Sequence, residues 1–167
     1  IFTVPCELIP FDQTFRLISM EDTRFLHCNI KTLNLIPSVI AYQRCMEQGC
    51  QETVFHRGDR VTECAHSNIL MIKDGVLCTP PRDNLILPGI TLKHLLMLAE
   101  QNGIPTKEAP FTMQELAEAD EVIVSSSGGL CTQAVELDGK PVGGKAPELL
   151  KKLQDAYAAY YAEDTKA

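Results

Sequence analysis

The chain has 167 residues, of which 45% are hydrophobic and 22% charged, and its formal net charge is −7. This length is typical of one folded domain with its own apolar core. The acidic balance argues against a nucleic-acid partner, because binding to phosphates requires a basic face. No apolar run approaches the ~18 residues of a membrane span, and no basic-then-apolar signal segment is present, so we expect no membrane partner.

Seven cysteines are scattered along the chain, and none of them forms a C-x-x-C pair. This spacing supports neither a zinc ribbon nor a redox motif, so no metal site is predicted. We therefore expect buried free thiols in a reducing compartment, the cytoplasm.

Six segments are predicted as strands, because several are rich in β-branched residues and bounded by turn residues. In chain order they are Thr14–Ser19, Glu52–His56, Asn68–Ile72, Val76–Thr79, Glu121–Ser125 and Ala134–Leu137. Residues 56–60, 73–75 and 137–140 each combine Gly with Asp, which predicts hairpin turns. The Arg-Gly-Asp triplet in the first of them is interpreted as part of a turn rather than as an adhesion motif.

Helices are predicted between these strands from apolar spacing and from start and stop residues. They are Pro37–Gln48, Thr91–Gln101, a short helix from the capping box at Thr112 to Ala119, and Pro147–Ala162. Helices that alternate with hairpins and single strands predict an α/β fold, bordering on α+β, with a mixed sheet. The ordinary nucleotide-binding folds are not indicated, because neither Gly-x-Gly-x-x-Gly nor a Walker loop occurs.

Two side chains have a possible chemical use. Lys31 lies in the mostly apolar run "FLHCNIKTLNL", where a lowered pKa would let its amine attack a carbonyl; the alternative is a surface lysine. Glu63 follows a β-branched run and points either into a pocket, where it needs a cationic or hydrogen-bonding partner, or into water.

Two loops have a possible anion-binding use. In "LILPGITLKHLL", Gly89 frees the backbone and Thr91 is the expected N-cap, so the helix start offers N–H groups to an anion. In "VIVSSSGG", hydroxyls and glycines follow a buried strand and could bind phosphate. Taken alone, the first is an ordinary helix start and the second a flexible polar loop.

Together, an amine, an acid and two phosphate-compatible loops fit pyridoxal phosphate. The aldehyde, the ring nitrogen and the phosphate of this cofactor require those three kinds of partner. Considered together, the four features indicate a single cofactor site more strongly than any one of them indicates a function alone.

The segments "DTRFLHCNIKTLNL", "VTECAHSN", "DNLILPGIT", "ADEVIVSSS" and "VELDGKPVG" resemble the fold-type IV aminotransferases. Within that family they are most similar to the enzymes that act on D-amino acids such as D-alanine. The resemblance runs from about Glu21 to Leu153. It implies the larger, cofactor-bearing C-terminal domain, with a barrel-like mixed sheet, in a cytoplasmic homodimer that exchanges amino groups between an amino acid and a 2-oxo acid.

The resemblance also implies roles for individual residues around the cofactor ring. Lys31 matches the lysine that holds pyridoxal phosphate and moves the substrate proton. Glu63 matches the acid that pairs with the pyridine nitrogen, and its charge would keep that nitrogen protonated. Leu87 matches the aliphatic side chain against the ring face. Arg24 falls on a family arginine to which no role is assigned.

The phosphate and substrate positions follow in the same way. Ile90 and Thr91 match one phosphate-binding segment, and Ser126 and Ser127 match the other, with serine where threonine is common. Residues near the substrate are Ala65, His66 and Ser67. The family has Gly and then serines here, so the accepted amino acid is open; His66 either binds a substrate carboxylate or fills space.

The resemblance predicts the division of the chain. Residues 1–20 are a linker with the first strand, residues 21–162 the cofactor-binding domain, and residues 163–167 a tail. Nothing matches the small N-terminal domain of the family, so we expect the intact parent to transaminate and this piece alone to be weak or inactive. Branched-chain aminotransferase, aminodeoxychorismate lyase and a non-catalytic isolated domain remain the alternatives.

Overall fold

A computed structural model describes residues 8–166. Cys6 and the start of the predicted linker lie outside the described residues. The elements in chain order are β1 (Thr14–Glu21), α1 (Ile36–Glu47), β2 (Glu52–Arg57), β3 (Arg60–Cys64), β4 (Asn68–Lys73), β5 (Val76–Thr79), α2 (Ile90–Gln101), β6 (Thr106–Glu108), α3 (Met113–Ala117), β7 (Glu121–Ser125), β8 (Thr132–Leu137), β9 (Lys140–Pro141) and α4 (Pro147–Asp164).

The strands form one mixed sheet in the order β3-β2-β1-β8-β7-β4-β5-β6, with β9 paired to β8. β1 lies in parallel pairing with both β2 and β8, and β5 pairs in parallel with β6. β3 and β4 are joined by residues 65–67 and contact each other, so the sheet curls back on itself. The predicted barrel-like mixed sheet with surrounding helices is confirmed.

The two faces of the sheet bury separate apolar clusters. One face packs against α2 and α4, where Leu95 and Leu153 are fully buried beside Ile123 of β7. On the other face, side chains from six strands pack against one another, among them Val54 and Val61. Because the sheet is covered by helices on one face and closed on the other, both faces are apolar at alternate positions.

The six predicted strands and the three predicted turns are confirmed, with end shifts of at most two residues. The turns need positive φ, and Asp74 (50°) and Gly75 (78°) adopt it between β4 and β5. Strands β3, β6 and β9 were missed. β3 contains Arg60, Thr62 and Glu63 and lacks an apolar alternation, while β6 and β9 are too short for a periodic pattern.

The four predicted helices are confirmed, and Thr112 and Glu115 form the expected capping box at the start of α3. The prediction that Thr91 is the N-cap of α2 is wrong. The N-cap is Gly89, in an extended conformation, and no side chain caps this end. Thr91 instead lies in the first turn and is buried, and its side chain makes no capping hydrogen bond.

The remaining sequence-based expectations concern cysteines, metals and membranes. Within residues 8–166 six cysteines are free, and all are buried except Cys78, which is half-buried. No three metal-ligating side chains gather in this part of the chain. Across the same residues, none of the helices combines the length and the apolar character needed to span a bilayer.

Candidate functional site

The centre of the site is the carboxylate of Glu63, which lies on β3 and is 5% exposed. Its Oε1 accepts a hydrogen bond from Arg24 Nη1 at 2.5 Å. Its Oε2 accepts from the backbone N–H of Leu87 at 2.9 Å and from Asn68 Nδ2 at 3.1 Å. Three of the residues predicted for the site, at positions 24, 63 and 87, are therefore in direct contact.

Burial dominates the electrostatics of this carboxylate. Loss of solvent raises the pKa of Glu63 to about 7, although the positive charge of Arg24 and the Leu87 N–H act in the opposite direction. For Arg24, burial lowers the pKa, but hydrogen bonds and charge from Asp22 and Glu63 raise it overall. The guanidinium is therefore the permanently charged member of the pair, and Glu63 is the member that can change its protonation near neutral pH.

Arg24 is itself held by a second buried carboxylate. Asp22 accepts hydrogen bonds from the Arg24 side chain at Nε (2.9 Å) and Nη2 (3.0 Å). Arg57 and Thr62 also donate to Asp22, at 3.2 and 3.1 Å. Burial acts to raise the pKa of Asp22, yet the bonds and charges of Arg24 and Arg57 leave it below its ordinary value. The guanidinium also lies 4.7 Å from the centre of the Phe55 ring, a cation–π contact.

Asn68 couples Glu63 to the segment that precedes α2. Besides its bond to Glu63, Asn68 Nδ2 donates to the carbonyl oxygen of Leu87 at 2.9 Å. Gly89 packs closely against this amide, since a Cβ at position 89 would overlap Asn68 Oδ1. Leu87 is half-buried, and Ile90, the first residue of α2, is 67% exposed. The start of α2 therefore lies beside Glu63 with its end open.

Lys31 lies in the loop between β1 and α1 and is exposed. Two hydrogen bonds tie this loop to the segment that carries Leu87: Cys28 N donates to Asn84 O at 2.9 Å, and Asn84 Nδ2 donates to Leu26 O at 2.8 Å. Asn84 and Cys28 each lie three residues before the predicted site residue of their own loop. The two loops thus run next to each other at these residues, three positions before Lys31 and Leu87.

The predicted second phosphate loop forms a tight turn after β7. Ser126 Oγ accepts from the Gly129 N–H at 3.0 Å, and the Ser126 N–H donates to Gly129 O at 3.0 Å. Ser127 lies at the tip of this turn and is exposed. The hydroxyl of Ser126 is therefore engaged within the turn, while that of Ser127 faces outward.

Two of the three residues predicted to lie near the substrate, His66 and Ser67, meet Ser126 at a cavity of about 290 Å³. His66, Ser67 and Glu52 line it together with apolar side chains such as Phe15. Glu52 is 4% exposed, and its Oε2 accepts from Ser67 Oγ at 2.6 Å. Ala65 lines no part of this cavity and is buried beside Phe55 and Ala41.

The imidazole of His66 is exposed, and Tyr42 of α1 packs edge-on against it with ring centres 4.3 Å apart. Its Nδ1 lies 3.7 Å from Glu52 Oε2, which also accepts from the His66 backbone N–H at 3.3 Å. The ring is thus held between an aromatic edge and a buried carboxylate. This arrangement leaves it at the rim of the cavity rather than in the core.

Three further residues make direct contacts in the site, although no role was predicted for them: Asp22, Asn68 and Glu52. A carboxylate at the first position of a predicted apolar strand could have indicated a buried role for Glu52. The pair Asp22 and Arg24, two residues apart, gave no such indication, because the contact of Arg24 with Glu63 depends on how the segment after β1 lies beside β2 and β3.

Comparison with known proteins adds to this geometry. The family model "Amino-transferase class IV" matches residues 12–137. The D-alanine aminotransferase of Listeria monocytogenes serotype 4b is 44% identical over 162 residues, which is 96% of this chain and 55% of that protein. That of Staphylococcus haemolyticus is 43% identical over 143 residues, 85% of this chain and 51% of that protein. The chain thus spans about half the length of the curated relatives it matches.

Solved structures of aminotransferases have the same fold as this chain. The branched-chain amino acid aminotransferase of Escherichia coli superposes with a TM-score of 0.79 at 28% identity, covering 87% of this chain and 52% of the other. A branched-chain amino acid aminotransferase from T.th., complexed with N-(5'-phosphopyridoxyl)-L-glutamate, gives the same TM-score and coverages at 24% identity, which shows the fold alone. The matched residues include both loops and the strand that form the Glu63 site, and the chain belongs to the class IV aminotransferase family.

Proposed function

We propose that the protein containing this chain is a pyridoxal phosphate-dependent aminotransferase that exchanges amino groups between a D-amino acid, such as D-alanine, and a 2-oxo acid. The observation that carries the proposal is the buried carboxylate of Glu63, bonded to Arg24, Asn68 and the Leu87 N–H beside the loop of Lys31. The D-amino acid preference is supported by the 44% identity to D-alanine aminotransferase.

The residues present fit the cofactor. Glu63 Oε1 accepts one hydrogen bond from the chain, so this oxygen keeps an acceptor site for a ring N–H. When bound, the cofactor supplies an aldehyde that reacts with amines and a ring that withdraws electrons from the substrate Cα. Glu63, once ionised, would hold the proton on the ring nitrogen, and Leu87 would cover one face of the ring.

Lys31 is proposed to hold the cofactor and to move a proton between the substrate Cα and the cofactor. Lys31 is exposed in its loop, so its amine is accessible from solvent. To accept the substrate proton, the amine must be unprotonated, as is required of any general base.

The phosphate is proposed to lie at the open start of α2. The backbone N–H groups of Ile90 and Thr91 are among the four at a helix start that have no intrahelical partner. Ser127 at the tip of the neighbouring turn would add a hydroxyl, and Ser126 would shape the turn through its bond to Gly129. Thr91, a buried residue, would contribute its backbone N–H and, as the resemblance implies, its hydroxyl.

The substrate is proposed to lie against residues 65–67. His66 is exposed at the rim of the cavity, where its ring could bind a substrate carboxylate, while Ser67 is fixed by Glu52. Branched-chain aminotransferases share the fold, and a screen of D- and L-amino acids distinguishes their activity from the proposed one. A lyase that acts on aminodeoxychorismate would instead release pyruvate without a 2-oxo acid acceptor.

We also propose that the parent protein is a homodimer. Large apolar side chains on the outer side of α1 are exposed, including Ile36 (70%), Val39 (59%), Ile40 (48%) and Met46 (51%). A contiguous apolar surface of this kind usually marks an interface. We name these four residues the outer face of α1 and assign a second copy of the protein to it.

The cofactor proposal is tested by adding pyridoxal phosphate to the chain and following visible absorbance after removal of free cofactor. We expect a retained band that is lost in Lys31→Ala and kept in Lys140→Ala, an exposed lysine of β9. An unchanged band in Lys31→Ala would rule out Lys31 as the anchor. With D-alanine and 2-oxoglutarate we expect little or no pyruvate from this chain and normal turnover from the parent; turnover by the chain at an enzymatic rate would refute the expected inactivity.

A further inference from the structure

We propose that Asp22 is a positioning residue: its carboxylate fixes the guanidinium of Arg24 in the orientation from which Nη1 pairs with Glu63. Asp22 does not touch Glu63 in the hydrogen-bond network of the described residues. Its effect on the site therefore passes through Arg24.

The contacts of Asp22 are those of a fixed support. Its side chain is fully buried, and its two oxygens accept five hydrogen bonds. Three of them come from Arg24, through the backbone N–H (3.0 Å), Nε and Nη2. Arg57 and Thr62 supply the other two and hold the carboxylate from the side of β2 and β3.

These bonds determine where the third nitrogen of the guanidinium can lie. The guanidinium is planar and rigid, so fixing Nε and Nη2 against Asp22 leaves Nη1 with one direction, toward Glu63. Arg24 Nη2 additionally donates to the carbonyl of Leu85 at 3.3 Å, and Phe55 covers one face of the plane. Without Asp22, a long and flexible side chain would lose two of its four polar anchors.

A simple charge effect of Asp22 predicts the opposite result from a positioning effect. As a nearby negative charge, Asp22 raises the pKa of Glu63, so neutralising it would lower that pKa. As the support of Arg24, Asp22 keeps a positive charge next to Glu63, so removing the support would raise the pKa. The sign of the change therefore separates the two roles.

The other titratable groups around Glu63 do not alter the sign of the expected change in its pKa. Arg57 on β2 keeps its charge at all relevant pH values. Burial raises the pKa values of Cys28 and Cys64, so both thiols stay neutral between pH 5 and pH 8. The titration seen at Glu63 in this range therefore reports on Arg24 and Asp22.

The test is the titration of the Glu63 side-chain carbon by ¹³C NMR, in the cofactor-free chain. In Asp22→Asn we expect the midpoint to rise by about one pH unit, the lower end of the effect of an adjacent opposite charge. In Arg24→Met we expect the midpoint to rise as well. In the double variant, Arg24 is already absent, so Asp22→Asn exerts only its charge effect and the midpoint is lower than in Arg24→Met alone. A midpoint that falls or stays in the single variant Asp22→Asn would overturn the proposal.

Asp22→Asn could disturb folding, so Thr62→Val provides a second measurement. It removes one donor to Asp22, keeps every charge and conserves the side-chain shape. We expect a smaller rise of the Glu63 midpoint; if Asp22→Asn does not fold, no rise in Thr62→Val would overturn the proposal.

The consequence for catalysis rests on the proposed function, because it is the pyridine nitrogen that Glu63 would pair with. The two can fail separately. If the chain retains pyridoxal phosphate but its Glu63 titration does not respond to substitution of Asp22, only the positioning role is refuted. A shifted titration, in combination with a parent protein that never retains the cofactor, refutes only the proposed function.

Discussion

Asn68 Nδ2 donates both to the carboxylate of Glu63 and to the carbonyl of Leu87, and thereby joins β3, β4 and the segment before α2. The amide can do this because residue 89 is a glycine, which leaves space for Asn68 Oδ1. Asn68 and Gly89 thus form a close contact that any side chain at position 89 would break. Stability and site geometry therefore depend on the same close approach.

We predict that Gly89→Ala lowers the free energy of unfolding by about 2 kcal/mol, because the new Cβ overlaps the Asn68 amide and forces it or the backbone to move. Urea denaturation measures the change. Gly128→Ala is the matched control, since a Cβ there meets nothing within 4 Å. Equal losses in the two variants would show that the Asn68 contact is not responsible.

We predict that Glu63 makes the chain less stable as the pH rises from about 5 to 8. The pKa of Glu63 is raised from 4.5 to about 7, so in this range the folded state holds a proton that the unfolded state has lost. Raising the pH therefore favours unfolding until both states are deprotonated. The shift corresponds to about 3 kcal/mol.

The measurement is the free energy of unfolding at pH 5 and pH 8 in the wild type and in Glu63→Gln, which resembles the protonated acid. We expect the wild type to lose about 3 kcal/mol relative to the variant between the two pH values. Groups common to both proteins, such as Asp22 and its lowered pKa, cancel in this difference. Parallel pH profiles would contradict the prediction.

Glu121 is predicted to be the most important carboxylate for the attachment of α4. It is fully buried, and it accepts from the N–H of Ala146, the N-cap of the helix, at 2.9 Å and from that of Gly144 at 3.1 Å. A negative charge at this position also interacts favourably with the helix dipole. We expect Glu121→Gln to cost about 2 kcal/mol of stability.

Thermal or urea unfolding tests the Glu121 prediction. Glu148→Gln serves as the control, because Glu148 lies in the first turn of the same helix but is exposed. Its loss should stay within about 0.5 kcal/mol. If the exposed variant loses as much as the buried one, the helix dipole alone explains both.

The outer face of α1 is predicted to drive self-association. Val39→Asp places a charge in the middle of this face and should reduce the dimer fraction measured by analytical ultracentrifugation at least tenfold. Ala159→Asp, at an exposed position of α4, is the control and should leave the association unchanged. A chain that is monomeric before either substitution would contradict the prediction directly.

Local patterns in the sequence were sufficient for most of the fold. Turn residues and strand composition located β4 and β5 within one residue, because both strands are continuous and apolar and are joined by Asp74 and Gly75. Strand β3 was missed because its stability comes from pairing with β2 and from the buried polar contacts of Thr62 and Glu63, which no alternation of apolar residues indicates.

The site was predictable only in part, for a related reason. The resemblance selected Glu63 and Arg24, but their contact joins residues 39 positions apart and depends on how the segment after β1 lies relative to β3. The N-cap of α2 was misplaced because a threonine after glycine fits the capping preference, whereas burial turned Thr91 inward and left Gly89 at the cap. Tertiary packing decided both positions.

The central place of β1 has a consequence for how the chain is made. β1 leaves the ribosome first among the strands described, yet β8, one of its two partners, follows more than a hundred residues later, and Ser19 bonds to Asp138 across 119 positions. Until then one edge of β1 stays open to other nascent chains, so cotranslational chaperone binding or a slow rate of translation should govern the yield of folded protein.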